Sequence, residues 1–268
     1  MIGAIFGDIV GSVYEFDNHR SKEFPLFRED CEFTDDSVMT VAVAEALLSH
    51  KREDGAEAFK EKLIDAMHKW GHAYPYAGYG HRFGLWLARS AREPYNSFGN
   101  GSAMRVSPVA WYAESLEEAM SLARASAEVT HNHPEGIKGA EVTAGAIFLA
   151  RAGATMEQIR SFVECYYALD FTIDEIRPTY RFNETCQDTV PQAMEAFLES
   201  DSFEDSIRTG VSVGGDTDTL CAICGAVAEA YYGLTDTQRE AALSRLDAPL
   251  REVAEAFAER YVRREEGM

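Results

Sequence analysis

Residues 33–48 read FTDDSVMTVAVAEALL, and this stretch decides the class of the fold. A threonine and two acids come first, and a mainly apolar stripe then follows with the 3.6-residue period of a helix at Val38, Val41, Ala42, Glu45 and Leu48. Acids are favourable in the first turn of a helix, where the dipole is positive. The stretch therefore predicts a helix that begins near the acids and packs one face on the core.

The same helical period recurs along the whole chain, and strand-like alternation is almost absent. A second apolar stripe, at Phe59, Leu63, Met67 and Trp70, predicts another helix. Capping-box patterns predict helix starts after Ser115, Thr155 and Thr235, and a run that starts with proline and ends with glycine predicts a helix from Pro134 to Gly153. Two later apolar segments, Leu220 to Tyr232 and Pro249 to Glu266, predict two more helices. No linker, charge block or internal repeat divides the chain, so we expect one compact all-α domain over residues 1–268.

Composition excludes several classes of protein. The chain has 268 residues, of which 46% are hydrophobic and 26% charged, as in an ordinary globular protein with a sizeable core. Acidic residues outnumber basic residues 45 to 25, which gives a net charge of −20. That charge repels DNA, RNA and anionic lipid, so we expect neither general nucleic-acid binding nor a membrane partner. An anionic ligand must instead be held locally, by a cation or a helix N-terminus.

Cysteine usage and the N-terminal sequence predict a cytoplasmic protein. The five cysteines are odd in number and irregularly spaced, unlike a secreted disulfide framework. Cys221 and Cys224 form a Cys-x-x-Cys pair without strand context, and we interpret them as small buried residues. The N-terminus has no basic segment of a signal peptide, and no run reaches the ~20 apolar residues of a membrane span.

A second acidic turn, residues 214–219, repeats the pattern of residues 33–37. It reads GGDTDT and precedes the apolar segment from Leu220. The Asp35-Asp36 pair alone is ordinary helix-start chemistry, but two such turns in one domain favour a site. Aspartate and threonine offer hard oxygen ligands, which suit Mg²⁺, Mn²⁺ or Ca²⁺ better than Zn²⁺. If the two turns meet, four aspartates crowd together, and divalent cations would compensate their charge.

An ordered set of five motifs resembles the ADP-ribosylglycohydrolase family, over residues 1 to about 233. The motifs are Gly7-Asp8-x-x-Gly11-x-x-Tyr14-Glu15, Thr34-Asp35-Asp36, Gly99-Asn100-Gly101-x-Ala103-Met104-Arg105, Thr130-His131 and Gly214-Gly215-Asp216-Thr217-Asp218-Thr219. The resemblance implies a compact all-α fold with a binuclear Mg²⁺ or Mn²⁺ centre. It also implies that the partner is ADP-ribose, or a protein or small molecule that carries it.

The resemblance implies roles for residues near the metal centre. The residues that match metal ligands are Thr34, Asp35, Asp36, Asp216, Asp218 and Thr219. Asp35, Asp36 and Asp216 are also expected to take part in catalysis, together with Glu15 on a movable loop. Without the resemblance, Glu15 is interpreted as an ordinary solvated charge. Gly7 and Gly11, four residues apart, fit a small-residue helix face as well as they fit a functional motif.

Glycine-rich loops are the candidate substrate site. Residues 96–102 read NSFGNGS, which is either a backbone-donor loop for a diphosphate or an ordinary Asn-Gly turn. With the resemblance, Phe98 is expected to stack on adenine. The substrate-binding residues that the resemblance implies are Gly80, Gly84, Ser97, Phe98, Gly99, Asn100, Gly101 and His131. The loop at 78–84 lacks the spacing of a dinucleotide fingerprint, and two histidines, His131 and His133, make a weak metal pair.

The predicted function is metal-dependent hydrolysis of the glycosidic bond of ADP-ribosylated substrates, with release of ADP-ribose. The alternatives are a noncatalytic ADP-ribose-binding or crystallin-like structural protein, and another helical metal-dependent hydrolase. The acids and threonines of the two turns argue against the former, and the poor histidine pattern argues against the latter. The residues do not distinguish between arginine, serine, guanidine, nucleobase and acyl acceptors.

Overall fold

Helices joined by turns and loops form the protein, in a computed structural model that describes residues 1–262. The α-helices in chain order are α1 Ile2–Gly11, α2 Asp35–Ser49, α3 Gly55–Ala73, α4 His81–Ala88, α5 Gly101–Met104, α6 Ser107–Tyr112, α7 Leu116–Glu128, α8 Pro134–Arg151, α9 Met156–Glu164, α10 Ile173–Ile176, α11 Cys186–Leu198, α12 Phe203–Val213, α13 Thr217–Tyr232, α14 Asp236–Leu243 and α15 Ala248–Phe257. Short 3₁₀ turns cover Ser12–Tyr14 and Arg52–Asp54, and a π-helical turn covers Ala258–Val262. Residues 1–262 contain no strand, which confirms the all-α prediction.

The predicted helix starts are correct, because capping depends on local sequence. Thr155 and Thr235 each accept a hydrogen bond from the third helical residue and form the full reciprocal capping box. Ser115 caps α7 in the same way, but the Glu118 carboxylate bonds the backbone N–H of Glu114 and the side chain of Arg52 instead. Local pattern therefore locates these helices, while long-range partners change the detail of one cap.

Helix α2 is buried more completely than its apolar stripe indicates. Val43, Ala44 and Leu47 lie outside the predicted stripe and are fully buried, whereas Leu48 lies within it and is partly exposed. The cause is tertiary, since α1, α3, α6 and α15 all pack against α2. The prediction of one core-facing side was therefore too narrow.

Helices α1 and α13 pack backbone against backbone along a glycine face. A Cβ atom on Gly3, Gly7 or Gly11 would lie 2.3, 2.0 or 2.4 Å from a carbonyl oxygen of α13. Such a distance is far inside van der Waals contact, so a side chain there would force the helices apart. The small-residue helix face at Gly7 and Gly11 is therefore present, and it brings the C-terminal end of α1 to the acidic turn that begins α13.

Helix α15 and the π-helical turn that follows it cover residues 248–262 of the predicted last segment. Residues 263–266, the end of that predicted segment, and residues 267–268 of the predicted single domain lie outside the described residues. Most of the buried apolar side chains within residues 1–262 form one hydrophobic core cluster. Among these residues, no helix has the length and apolar character needed to cross a membrane.

Candidate active site

A cavity of about 280 Å³ opens where the N-termini of α2 and α13 meet. Most of the predicted site residues line it: Glu15, Thr34, Asp35, Asp36, Gly80, Ser97, Gly99, Asn100, Gly101, His131, Asp216, Asp218 and Thr219. Gly84 and Phe98 are not among the lining residues. The structure therefore brings together both acidic turns and the backbone of the glycine-rich loop.

Thr34 begins α2 and connects it to α1. Its hydroxyl accepts a hydrogen bond from the backbone N–H of Asp36 and lies 2.7 Å from Oδ1 of Asp8. Asp8 also accepts from the backbone N–H groups of Thr34 and Ser37, each at 3.0 Å, and from the Ser37 hydroxyl. Asp8 is fully buried, and these bonds compensate its desolvation. The turn before α2 is thus fixed to α1.

Asp216 and Asp218 begin α13 and face the first turn from across the cavity. Asp216 accepts a hydrogen bond from the side chain of Asn100 at 2.7 Å. Asp218 accepts one from the backbone N–H of Thr219 at 2.9 Å. The Thr219 hydroxyl donates to Oδ2 of Asp36 at 3.3 Å, which joins the two acidic turns directly. The two acidic turns therefore meet, which is the condition under which the sequence indicates a cation site.

Three carboxylates in this cluster are close enough to share one cation. Glu15, Asp216 and Asp218 each offer an oxygen within 4.8 Å of the others. Oδ1 of Asp36 is buried and has no hydrogen-bond partner in the protein, so it is available to coordinate a cation. Hard oxygen donors in this number and spacing fit a divalent cation. The cluster can therefore hold a metal ion.

Burial and mutual repulsion raise the pKa of every carboxyl in the cluster. Desolvation, with the charges of Asp218 and Asp8 second, raises the pKa of Glu15 to about 8. Desolvation raises the pKa of Asp216 to about 6, against the hydrogen bonds that lower it. The pKa values of Asp35, Asp36 and Asp218 are also raised, for the same first reason. A cation would reverse this electrostatic cost.

The cavity lining also carries positive charge and hydrogen-bond donors. Arg82 and the buried Arg105 line it, and Arg105 donates to the Thr130 hydroxyl at 2.8 Å. The same hydroxyl lies 2.8 Å from Nδ1 of His131. Burial, and then the charges of Arg105 and Arg82, lower the pKa of His131 well below its usual range. His131 is therefore a neutral ring beside the glycine-rich loop.

Phe98 and Gly84 lie outside the cavity wall for different reasons. The Phe98 ring is 40% exposed and lies 5.3 Å from the ring of His133, measured between centroids. Gly84 lies within α4, and a Cβ there would meet nothing within 4 Å. His133 is the N-cap of α8, since its Nδ1 accepts from the N–H of Glu135. Neither Phe98 nor Gly84 belongs to the carboxylate cluster of the site.

Asp8, Arg82 and Phe182 belong to the site, although sequence reasoning assigned none of them a role. Asp8 carried a usable signal, because a charge inside the apolar segment from Ile2 to Gly11 is costly unless it is hydrogen-bonded. Arg82 and Phe182 carried no such signal. Each lies far in sequence from the acidic turns and reaches the cavity only through tertiary packing.

The all-α fold places an acid-lined cavity that can hold a metal ion at the N-termini of two helices. The sequence model of the ADP-ribosylglycohydrolases matches residues 1–267, beyond the 233 residues expected, and the chain belongs to that family. Members of this family are hydrolases that act on glycosyl bonds, and the reaction class of this chain is the hydrolysis of ADP-ribosylated substrates.

Named relatives and one solved structure agree with this family. The chain is 27% identical to mouse ADP-ribosylhydrolase ARH3, over 87% of this chain and 83% of the relative. It is 25% identical to the ADP-ribosylarginine hydrolase Tri1 of Pseudomonas putida, over 88% and 70%. A solved structure described as an ADP-ribosylglycohydrolase-related protein complex matches with a TM-score of 0.71 at 24% identity, over 96% of this chain and 94% of that one, which supports the fold.

Proposed function

We propose that the chain cleaves the bond at the anomeric carbon of the distal ribose of ADP-ribose, releasing ADP-ribose from a protein side chain or a small molecule in the cytoplasm. The observation that carries this proposal is that one cavity holds both acidic and cationic groups. Glu15, Asp216 and Asp218 line it together with Arg82 and the glycine-rich loop. A ligand with a diphosphate and a polyhydroxylated ribose has the complementary polarity.

The glycine-rich loop and Arg82 are proposed to hold the diphosphate. Gly99, Asn100 and Gly101 line the cavity, and backbone N–H groups at a turn are suited to phosphate oxygens. Arg82 adds a positive charge to a protein whose net charge is −20. Phe98, at the outer edge of this loop, is proposed to stack on the adenine ring.

Two divalent cations, Mg²⁺ or Mn²⁺, are proposed to bind at the two acidic turns that begin α2 and α13. The ligands would be Thr34, Asp35, Asp36, Asp216, Asp218 and Thr219. The unpartnered oxygen of Asp36 and the closeness of the Asp216 and Asp218 carboxylates support this set. Bound cations would supply Lewis acidity to orient the ribose hydroxyls and to acidify a water.

Glu15 is proposed to move the proton of the reaction. It is half-buried, lines the cavity and lies beside Asp218, so that its raised pKa allows it to hold or accept a proton near neutral pH. Asp35, Asp36 and Asp216 are proposed to orient the attacking water and to stabilise the positive charge that develops on the ribose ring.

Product analysis tests this function. The purified chain is incubated with peptides ADP-ribosylated on arginine or on serine, with Mg²⁺ or Mn²⁺, and the nucleotide products are separated. Release of ADP-ribose from either peptide supports the proposal and identifies the acceptor. Binding of ADP-ribose without release from any linkage would instead indicate a noncatalytic protein, and release of AMP would indicate cleavage of the diphosphate.

A further inference from the structure

The side chain of Asn18 bonds two segments that each carry acids of the site. Its Oδ1 accepts a hydrogen bond from the backbone N–H of Gly215 at 2.8 Å. Its Nδ2 lies 3.2 Å from the carbonyl oxygen of Gly215, 2.9 Å from that of Tyr14 and 2.8 Å from that of Glu15. One amide side chain thus pairs with both backbone groups of Gly215 and with the peptide that carries Glu15.

The two glycines before Asp216 make this contact possible. Gly214 and Gly215 have φ angles of +75° and +78°, which favour glycine. A Cβ on Gly214 would lie 3.0 Å from Oδ1 of Asn18 and 2.9 Å from Cζ of Arg20, so a side chain there would displace both. Gly214 therefore serves a close approach to the segment after Glu15, whereas Gly215 serves one to Tyr180, whose Cε1 would lie 2.6 Å from a Cβ on Gly215.

Arg20 extends the same connection. Its guanidinium donates to the carbonyl oxygen of Val213 at 2.7 Å and to that of Tyr180 at 2.7 Å. The Tyr180 segment continues to Phe182 and Glu184, which line the cavity. Residues 15–20 are consequently bonded on one side to the turn before Asp216 and on the other to the cavity wall around residue 182.

We propose that Asn18 is a positioning residue that holds Glu15 at the distance from Asp216 and Asp218 required for hydrolysis. It touches neither the cavity nor any candidate ligand atom, and it acts through the backbone of Glu15 and Gly215. Without the amide, the segment with Glu15 loses its hydrogen bonds to Gly215, while Arg20 keeps its bond to the Val213 carbonyl oxygen. This inference rests on the proposed function.

The amide group is essential to this role because it donates and accepts at once. In Asn18→Asp the acceptor for the Gly215 N–H is retained, but a second oxygen faces the three carbonyl oxygens. Carboxylate against carbonyl leaves these acceptors without a donor and adds repulsion. Asn18→Asp is therefore expected to behave like Asn18→Ala, although it is closer in shape to the native residue.

Steady-state kinetics with a double-mutant cycle tests the inference. Asn18→Ala and Asn18→Asp should each lower kcat by roughly 10–100-fold, the cost of displacing a reacting group by about 1 Å, while KM changes less than about 3-fold. In the Glu15→Gln background, Asn18→Ala should cost less than about 3-fold, because the residue on which it acts is already disabled. A loss of kcat that is undiminished in that background would overturn the inference.

Gln238→Glu is the matched control for the change from amide to carboxylate. Gln238 lies in the capping box of α14, where glutamate serves equally well, and it is not among the cavity residues. Its kcat should equal that of the wild type. An equal fall in Gln238→Glu and Asn18→Asp would attribute the effect to net charge and contradict a positioning role.

Hydrogen exchange provides a readout that does not depend on activity. Asn18→Ala should speed amide exchange in residues 13–20 and 213–216 while the remaining amides and the Tm stay close to wild type. Unchanged exchange in both segments would overturn the inference even if kcat fell. If the wild type releases no ADP-ribose, the proposed function fails, and the exchange result still decides whether Asn18 joins the two segments.

Discussion

Replacing Asp216 with asparagine should make the metal-free protein more stable at neutral pH, and the gain should vanish in acid. Asp216 is 6% exposed, and desolvation raises its pKa from 3.8 to about 6. The folded state therefore binds a proton more tightly than the unfolded state does. The stability that this proton contributes is fully present below about pH 4 and is lost as the pH rises through about 6. Asp216→Asn removes the charge and keeps an oxygen that can accept from Asn100.

The expected magnitude follows from the shift in pKa. A shift of about two units corresponds to at most ~3 kcal/mol between pH 4 and pH 7. At roughly 2–4 °C per kcal/mol for a chain of this size, the Tm of Asp216→Asn in EDTA should exceed that of the wild type by up to about 10 °C at pH 7. The difference should fall towards zero at pH 4, because both side chains are then neutral.

Thermal melting in EDTA between pH 4 and pH 8 measures this difference directly. Asp170→Asn, at an exposed position outside the cavity, is the control for the loss of one negative charge. Added Mg²⁺ or Mn²⁺ should then raise the Tm of the wild type at pH 7, and much less that of Asp216→Asn/Asp218→Asn. If Asp216→Asn is less stable than the wild type at pH 7 in EDTA, or if the metal raises the Tm of both proteins equally, the assignment of a strained acidic metal site is wrong.

Three further predictions concern other parts of the site and fold. Glu15→Gln should lower kcat by roughly 10²–10⁴-fold with little change in ADP-ribose affinity, and single-turnover rates near wild type at every metal concentration would refute its proton-transfer role. Phe98→Ala should weaken ADP-ribose binding by about 1–3 kcal/mol in calorimetry at nearly unchanged Tm, and unchanged affinity would limit Phe98 to its contact with His133. Gly7→Ala should destabilise the protein by about 1–3 kcal/mol or more in denaturant unfolding because its Cβ would lie 2.0 Å from a carbonyl oxygen of α13, whereas Gly84→Ala should be tolerated by the fold, and equal stability of the two variants would contradict the close packing of α1.

The parts of the fold that depend on local sequence could be predicted, and those that depend on neighbours could not. The capping threonines Thr155 and Thr235 specify helix starts through bonds that span three residues, so pattern alone locates them. The burial of Val43 and Leu47 depends on four helices around α2, and no periodicity within α2 reveals them. The prediction of the stripe was therefore correct in its position and wrong in its width.

The same distinction applies to the site. Asp35, Asp36, Asp216 and Asp218 lie at two helix starts, which are visible in the sequence, but the two turns meet because α1 contacts both α2 and α13. Asn18 gave no signal, since its function depends on backbone atoms of a turn almost two hundred residues away. Arg82 likewise reaches the cavity only through tertiary packing, whereas Asp8 carried a signal as a charge inside an apolar helix.

Metal depletion and restoration in single turnover tests whether hydrolysis requires a cation held by the acidic cluster. The wild type and Asp216→Asn/Asp218→Asn are each mixed in excess with an ADP-ribosylated peptide that the wild type cleaves, in EDTA and after addition of Mg²⁺ or Mn²⁺. The wild type should release no ADP-ribose in EDTA and should recover with metal, while the double variant should stay inactive at every metal concentration. ADP-ribose release by the wild type in EDTA, or by the double variant at the wild-type rate, would contradict a metal-dependent hydrolase that uses this acidic cluster.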